Sequence, residues 1–294
     1  MTFISMKSEQ SSHVEDDLGV VEELPRSAAT ISGALANDAP SIGCNCCLQS
    51  TQQQLESGWN TLRVGADAVR SKDGFISTYI LRSVLNEPCY VTALATTLAS
   101  QMANRDACFE SLKECFSLMY SRCPELAITS MCDLFAYVEK DPACNEMAEA
   151  FLFYKGFHAV QVQRLASCYW QRDEVAEAYW LQNRASVLFG VDIHPAARLG
   201  GGLFVDHATG IVIGETVEVG DNVSLLHGVT LGGTGTEVGD RHPKIGNSVT
   251  IGANATLLGN IRIGDNSVIG ASTVVLKDLK PGSIVVGNPA RHLN

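Results

Sequence analysis

The most regular pattern in this sequence is a six-residue repeat of aliphatic side chains in its C-terminal third. Thirteen positions from Ile193 to Val275 hold Ile, Leu or Val, and eight of them are followed directly by Gly. Most stand six residues apart, with a slip of two between 205 and 213 and a longer step from 231 to 245. A period of six matches neither the α-helix, with a period of about 3.6, nor the alternation of a simple strand.

This repeat predicts a parallel β-helix, in which each side of a triangular coil is a short strand and each aliphatic anchor points inward. Gly after an anchor eases the corner because it has no Cβ. With three sides to a coil, residues eighteen apart stack, so Ile251 should lie against Ile269 and Leu257 against Val275. A Gly-rich β-sandwich is the alternative, although thirteen uninterrupted anchors are hard to obtain from hairpins. Spacing does not give the hand of the coil.

Residues 51–190 instead show the three- and four-residue apolar spacing of helices. We predict helical segments at 75–86, 89–103, 106–121, 125–139 and 145–170. A further helix is expected from an N-cap at Asp173 to a stop at Gly190. Eighteen of the 26 glycines follow residue 192, and no Cys, Met or Trp does. The expected architecture is an all-helical domain at 51–190 followed by a β-helix domain at 191–294.

Residues 1–50 carry seven acidic and two basic residues without a periodic apolar pattern, so we expect a disordered acidic extension. Its cysteines Cys44, Cys46 and Cys47 have no second cluster at metal spacing, and we interpret them as incidental thiols. No basic-then-apolar signal pattern and no long apolar run occurs, so the cytoplasm is the expected location. The net charge of −11 argues against nonspecific nucleic-acid binding.

Candidate chemistry lies where the β-helix rhythm breaks, at 205–210 and in the Gly-rich excursion 232–244. Solenoids place non-repeating residues in surface loops that often form the binding face. His207, in the first break, is the strongest candidate because an imidazole can take a proton from an alcohol and return it. Asp192 lies fifteen residues earlier, near one coil's length, so it is placed to meet His207 and fix its tautomer.

The second break and the last coils supply groups suited to binding. Arg241, next to His242, offers a planar fork that matches a carboxylate. Ala253 and Ala271 stand eighteen apart, each after a Gly, and stacked they leave a shallow groove for a thin, extended ligand. Basic residues placed to meet phosphates at the end of this groove are Lys277, Lys280 and Arg291.

Five motifs together resemble serine acetyltransferases, a family of hexapeptide-repeat acyltransferases. They are YKGFHA, VDIHPAA, DHATGIVIGE, VTLGGTG and GDRHPKIG, and the similarity runs from about 75 to 291. The resemblance implies acetyl transfer from acetyl-CoA to the hydroxyl of L-serine, giving O-acetylserine, the first step of cysteine biosynthesis from serine. It also implies a left-handed β-helix, acetyl-CoA as co-substrate and no metal.

The same resemblance implies roles for individual residues. His207 is then the general base and Asp192 the acid that orients it. The implied serine site consists of an Asp-Pro pair, the Asp of DHATG and the Arg-His of GDRHPK, which are Asp141, Pro142, Asp206, Arg241 and His242. The implied CoA groove uses the Gly-Gly turn and the Ala positions of successive coils, which are Gly233, Ala253 and Ala271.

Partners also follow from the resemblance. The family forms a homotrimer through the β-helix, with sites in the seams between subunits, and often a dimer of trimers. Many members carry a C-terminal tail ending in Ile that enters the active site of O-acetylserine sulfhydrylase. The sequence ends at Asn294 without such a tail, so we do not expect O-acetylserine sulfhydrylase to bind this chain through that contact.

Three other interpretations remain open from the residues. A metal hydrolyase resembling carbonic anhydrase would use His207, His227 and His242 as ligands around an open position, although Asp192 then has no role. A catalytically idle regulatory scaffold would not need the pair of His207 and Asp192. A hexapeptide acetyltransferase for a different small alcohol or amine acceptor is the third alternative.

Overall fold

The computed structural model describes residues 52–235 and 238–293. The expected acidic extension and its cysteine cluster therefore lie outside the described residues. Helices occupy the described chain from Gln52 to Phe189, and strands follow from Val191 to His292. Within these two stretches, every helix is too short or too polar to cross a bilayer.

Eight α-helices and one π-helical turn make up the helical part of the described chain. Their bounds are α1 Gln52–Val69, α2 Ser77–Ile80, the π-helical turn Leu81–Leu85, α3 Tyr90–Met102, α4 Phe109–Arg122, α5 Glu125–Lys140, α6 Met147–Phe153, α7 Lys155–Gln171 and α8 Val175–Phe189. The sequence did not predict α1, and the helix expected at 145–170 is interrupted at Tyr154, whose backbone is extended.

The last helix shows one prediction confirmed and one wrong. Gly190 follows α8 in the left-handed conformation, with φ of 68°, as a Gly stop signal predicts. The predicted N-cap is wrong, since Glu174 rather than Asp173 precedes α8. Asp173 instead adopts a left-handed turn, with φ of 61°, between α7 and α8.

Short strands form the rest of the described chain. Their bounds are β1 Val191–Ile193, β2 Arg198–Leu199, β3 Phe204–Val205, β4 Ile211–Ile213, β5 Glu218–Val219, β6 Ser224–Leu225, β7 Thr230–Gly232, β8 Lys244–Ile245, β9 Thr250–Ile251, β10 Thr256–Leu258, β11 Arg262–Ile263, β12 Val268–Ile269, β13 Val274–Val275, β14 Ile284–Val286 and β15 Arg291–His292. As far as β13, every third strand joins the same sheet, and β14 and β15 then extend the sheet that contains β12. The orders are β1-β4-β7-β10-β13, β2-β5-β8-β11 and β3-β6-β9-β12-β14-β15.

This topology confirms the β-helix and contradicts the sandwich. Neighbouring strands are parallel in all three sheets, apart from the final antiparallel pair of β14 and β15. Ile251 pairs with Ile269 and Leu257 with Val275, as the eighteen-residue spacing predicts. The anchors at these positions are buried inside the coil, so each turn covers the apolar interior of the next.

The two breaks in the repeat leave the stacking intact. Ile193 pairs with Ile213, twenty residues later, so the two extra residues are taken up in the turn at 206–210. Leu231 pairs with Leu257, twenty-six residues later, and the extra length forms the loop between β7 and β8. The breaks therefore project from corners of a continuous solenoid.

A buried ion pair fastens the helices to the first coil. Arg164 on α7 and Asp133 on α5 are 6% and 1% exposed, with Nη2 and Oδ2 2.9 Å apart. The guanidinium also donates to the carbonyls of Leu199 (3.1 Å) and Gly200 (2.7 Å), and Asp133 Oδ1 accepts from the Leu203 amide at 2.8 Å. These bonds anchor two helices to the turn between β2 and β3.

His158, from the YKGFHA motif, is a structural residue of the helical core. Its ring is buried, its Nε2 lies 2.7 Å from the Phe151 carbonyl and its Nδ1 lies 3.1 Å from Gln101 Nε2. A ring with its proton on Nε2 satisfies both contacts. Burial lowers the pKa of His158 to about 4.

We therefore expect His158 to make the fold sensitive to acid. The unfolded chain binds a proton near its ordinary pKa of about 6.5, whereas the folded chain resists protonation until about pH 4. Stability should consequently fall by about 3 kcal/mol as the pH drops from 6.5 to 4. Urea unfolding across this range, compared with His158→Gln, measures the effect. Equal pH slopes for both proteins would contradict it.

Candidate active site

The first break is a tight turn that carries His207 out of the solenoid. His207 and Ala208 both adopt left-handed backbone conformations, with φ of 55° and 59°. The Gly210 amide donates to the Gly190 carbonyl at 2.7 Å, which ties this turn to the end of α8. The imidazole of His207 is 74% exposed. It is therefore accessible to a substrate.

His207 opens onto a cavity of about 450 Å³ between the helices and the β-helix. Its lining residues are Tyr137, Asp141, Ala143, Phe153, Tyr154, Lys155, Gly156, Val205, Asp206 and His207. Gly156 is needed because a Cβ there would lie 2.1 Å from the Val205 carbonyl oxygen. The start of α7 can thus press directly against β3, which forms one wall of the cavity.

Two carboxylates face this cavity from opposite domains. Asp141 follows α5 and accepts a hydrogen bond from the Ala143 amide at 2.8 Å, while Asp206 follows β3. Burial raises the pKa of Tyr137 well above its ordinary value, and both carboxylates raise it further. Tyr137 therefore keeps its proton and donates to the Val205 carbonyl at 2.9 Å. The cavity combines negative charge with the imidazole of His207.

The predicted serine-site residues do not all meet in one chain. Asp141, the exposed Pro142, Asp206 and His207 lie at or beside the cavity. Arg241 instead contacts Glu215, with Nη2 and Oε2 2.8 Å apart.

His242 lies with Arg241 at a separate corner. His242 is 7% exposed, and its Nδ1 accepts from the Thr216 amide at 3.2 Å. Its ring packs on Gly214, where a Cβ would lie 2.2 Å from Nε2. Burial lowers the pKa of His242, and the Arg241 guanidinium lowers it further. His242 is thus held neutral at the corner between β4 and β5, whereas His207 lies between β3 and β4.

Asp192 is not bonded to His207 in the described part of the chain. Its Oδ1 accepts a hydrogen bond from Gln182 Nε2 at 2.7 Å. The carboxylate next to His207 is instead Asp206, whose Oδ2 lies 3.6 Å from Nε2. Asp192 does lie on β1, which begins one residue after the Gly190 carbonyl that holds the His207 turn. The sequence predicted that Asp192 and His207 lie near each other. It did not predict that Gln182 bonds Asp192 or that Asp206 lies next to His207.

The predicted groove residues do stack. Ala253 and Ala271 lie at the same corner as His207, and the Ser272 amide donates to the Ala253 carbonyl at 2.7 Å. Ala253 is half-buried and Ala271 exposed. Gly233 lies at another corner, beside Arg241, where a Cβ would be 3.5 Å from the Arg241 Cγ. The basic residues Lys277, Lys280 and Arg291 are exposed at the far end of the solenoid.

Comparison with protein families covers both halves of the chain. The model described as "Serine acetyltransferase, N-terminal" matches residues 59–162. The model described as "Bacterial transferase hexapeptide (six repeats)" matches residues 242–277. These matches agree with helices followed by hexapeptide coils.

Similarity to known proteins shows the family to which this chain belongs. Serine acetyltransferase 3, mitochondrial, from Arabidopsis thaliana is 45% identical over 240 residues, which cover 82% of this chain and 61% of the relative. The structure of soybean serine acetyltransferase complexed with serine covers 83% of this chain and 100% of its own, at 40% identity and a TM-score of 0.80. This chain belongs to the serine acetyltransferase family.

A third serine acetyltransferase, from Brucella abortus strain S19 in complex with coenzyme A, is 42% identical with a TM-score of 0.80 and covers 83% of this chain and 98% of its own. The predicted fold, an all-helical domain followed by a left-handed parallel β-helix, is confirmed. The chain spans less than two thirds of the Arabidopsis relative's length.

Sequence reasoning missed several residues around the cavity that His207 faces. Tyr137 was not predicted because its bond to Val205 joins residues 68 positions apart. Lys155, whose Nζ contacts the Thr209 hydroxyl, lies in the YKGFHA motif, which was therefore an available signal. His227 was considered only as a metal ligand. Among the residues that the structure describes, no group of three or more His, Cys, Asp or Glu is arranged to hold a metal ion.

Proposed function

We propose that this protein transfers the acetyl group of acetyl-CoA to the hydroxyl of L-serine, giving O-acetyl-L-serine and CoA. The observation that carries the proposal is the exposed imidazole of His207 at a cavity that also holds two carboxylates. Family membership supports the reaction, and relatives have been solved with serine and with coenzyme A. The reaction is the first step of cysteine biosynthesis from serine.

Each polar group of L-serine has a matching group on this chain. Asp141 and Asp206 attract the ammonium, and the fork of Arg241 binds the carboxylate with His242 beside it. Pro142 shapes the turn that presents Asp141. The hydroxyl, which is the one group of serine that reacts, then faces His207.

His207 acts as the general base in this proposal. It removes the hydroxyl proton as the serine oxygen attacks the thioester carbonyl carbon, and it later protonates the departing CoA thiolate. Asp192 orients the imidazole, which requires it to exchange Gln182 for His207 as its partner on substrate binding. Asp206 lies closer to Nε2 in this structure, so it can stabilise the imidazolium that forms.

The acetyl-CoA arm lies along the stacked corner of Ala253 and Ala271, where the small side chains leave room for it. Gly233, at the neighbouring corner, also contributes to binding this arm. The exposed cations Lys277 and Arg291 meet the phosphates at the far end. Acetyl-CoA is a co-substrate, and this proposal uses no metal.

Thiol release from acetyl-CoA tests the acceptor. We expect release with L-serine and background release with ethanolamine, which lacks the carboxylate, or 3-hydroxypropionate, which lacks the ammonium. Release at equal rates with all three compounds would support an acetyltransferase for a different small acceptor. No release above background with L-serine would overturn the proposed function.

We also propose a homotrimer, because Arg241 and the cavity lie on different corners of one chain. A threefold arrangement can bring the Arg241 corner of one subunit against the His207 corner of the next. Mixing inactive His207→Ala chains with inactive Arg241→Ala chains should restore activity at about one site in four. Mixed samples that remain inactive would place both residues' functions within a single chain. A dimer of trimers is a further arrangement that sedimentation would detect.

The cytosol is the compartment we propose. No disulfide joins the cysteines in the described part of the chain, which fits a reducing environment. Fractionation of cells that express the full-length protein, with detection by an antibody, would test this location. Recovery in an organelle fraction would contradict it.

A further inference from the structure

The turn that carries His207 adopts a backbone shape that its own residues do not favour. His207 and Ala208 both have left-handed backbone conformations, which are unfavourable for residues with a Cβ. Within the turn, the Thr209 amide donates to the His207 carbonyl at 2.7 Å, and the Ala208 side chain is buried in the coil. Because unfavourable conformations persist only where neighbouring structure holds them, the contacts made to this turn decide where the imidazole points.

Backbone hydrogen bonds from two neighbouring coils hold the end of this turn. The Gly210 amide donates to the Gly190 carbonyl at 2.7 Å, and the Gly228 amide donates to the Thr209 carbonyl at 2.8 Å. These bonds fix the two residues at the end of the turn, which lie two and three positions after His207. The orientation of the His207 peptide therefore still depends on contacts that side chains make.

A side-chain contact from the helices reaches the same turn. The Lys155 ammonium donates a hydrogen bond to the Thr209 hydroxyl. That hydroxyl donates in turn to the His207 carbonyl at 3.4 Å. Because an ammonium can only donate, its bond directs the hydroxyl proton away from Lys155 and toward the carbonyl. One hydroxyl thus links the first residue of α7 to the peptide of His207.

The position of Lys155 in α7 is not explained by helix stability. It is the first residue of the helix, where the macrodipole disfavours a cation. Gly156, the second residue, brings α7 against β3, since a Cβ there would lie 2.1 Å from the Val205 carbonyl oxygen. Asp141 and Asp206 line the same cavity as Lys155, and their carboxylates offset its charge. The cation is therefore stabilised by the cavity rather than by its own helix.

We propose that Lys155 is a positioning residue that, through Thr209, holds the imidazole of His207 in the orientation that accepts the serine proton. This inference rests on the proposed function and adds to it a residue that does not touch the substrate. Lys155 and Thr209 neither gain nor lose a proton in the reaction. Without the ammonium the turn still forms, because its backbone bonds remain, but the His207 ring spends less time in the reactive orientation. Small displacements of a reacting group lower the rate steeply, so the effect falls on kcat.

Three substitutions isolate this contact. Lys155→Met keeps the aliphatic stem but removes the ammonium, and we expect kcat for L-serine acetylation to fall by about 10–100-fold. Thr209→Val removes the hydroxyl without changing the charge, so an equal fall shows that the contact, rather than the field of the ammonium, is responsible. Thr209→Ser keeps the hydroxyl and should stay within about threefold of the wild-type kcat. The KM values for L-serine and acetyl-CoA should change by less than about threefold in all three variants.

A double variant and a control complete the design. Lys155→Met combined with Thr209→Val should lose no more activity than the worse single variant, because both changes break one contact. Lys72→Met removes an exposed ammonium before α2 and should leave kcat unchanged. Melting curves check that each protein is folded at the assay temperature, and Lys155→Gln replaces the Met variant if that protein does not fold.

Several results would overturn the role of Lys155. They are a Met variant within about threefold of the wild-type kcat, losses that multiply in the double variant, and a Thr209→Ser variant as slow as Thr209→Val. An increased KM for L-serine at unchanged kcat would also overturn it, since the ammonium would then bind the substrate carboxylate. None of these results affects the proposed function if the wild type acetylates L-serine and His207→Ala does not. If the wild type uses another acceptor, the same comparison is made with that acceptor, and absence of any transfer overturns both proposals.

Discussion

His207→Ala is expected to lower kcat for L-serine acetylation by about 10²–10⁴, the usual contribution of a general base. The imidazole is 74% exposed and opens on the cavity, so its removal takes away the proton acceptor without opening a hole in the core. The thermal midpoint should therefore stay close to wild type. Steady-state thiol release and a melting curve measure the two effects together.

Two further variants control this experiment. His207→Asn should be as inactive as the Ala variant, because Asn tolerates the left-handed turn at this position (φ of 55°) but cannot act as a base. His292→Ala removes an exposed imidazole on β15 and should leave kcat unchanged. A His207→Ala protein that keeps a near-wild-type rate would remove His207 from the mechanism.

Arg164→Met should destabilise the fold by about 3–5 kcal/mol, because it leaves the carboxylate of Asp133 buried without its cation. The same change removes the donors to the carbonyls of Leu199 and Gly200. We expect the contact between the helices and the first coil to weaken most, since these bonds join them. Urea unfolding followed by circular dichroism measures the free energy of unfolding.

The exposed ion pair of Arg172 and Glu174 supplies the matched control. Its atoms Nε and Oε1 are 2.7 Å apart, but the side chains are 43% and 36% exposed. Arg172→Met should change the free energy of unfolding by about 1 kcal/mol or less, because solvent screens such pairs. Similar small losses for both variants would contradict the anchoring role of Arg164.

The sequence predicted the solenoid well because its spacing reports directly on which side chains point inward. A slip or insertion at a corner does not change which side chains point inward, and Leu231 still pairs with Leu257 across the long loop. The helical part was harder to predict. The break at Tyr154 coincides with the close approach of Gly156 to Val205, a contact with β3 that no local pattern in the helix reveals.

The active site was predicted only in part, because some of its contacts also depend on tertiary packing that no local pattern reveals. His207 could be found because it interrupts a strict repeat. Arg241 could not be placed, since a loop of this length can fold back to any corner. Its contact with Glu215 and the packing of His242 on Gly214 show which corner it occupies. The bond of Asp192 to Gln182 depends on α8 lying against β1, which is also a matter of tertiary packing.

One corner of the solenoid carries His207, His227, Ala253 and Ala271 on successive coils, and this straight row has a geometric consequence. Successive positions belong to hydrogen-bonded coils, which are about 4.8 Å apart, so the row is about 14 Å long. In the proposed site, backbone spacing therefore fixes how far the reacting carbon lies from the carrier's phosphates. An acyl carrier with a shorter arm would be rejected by its length alone, whatever charges it bears.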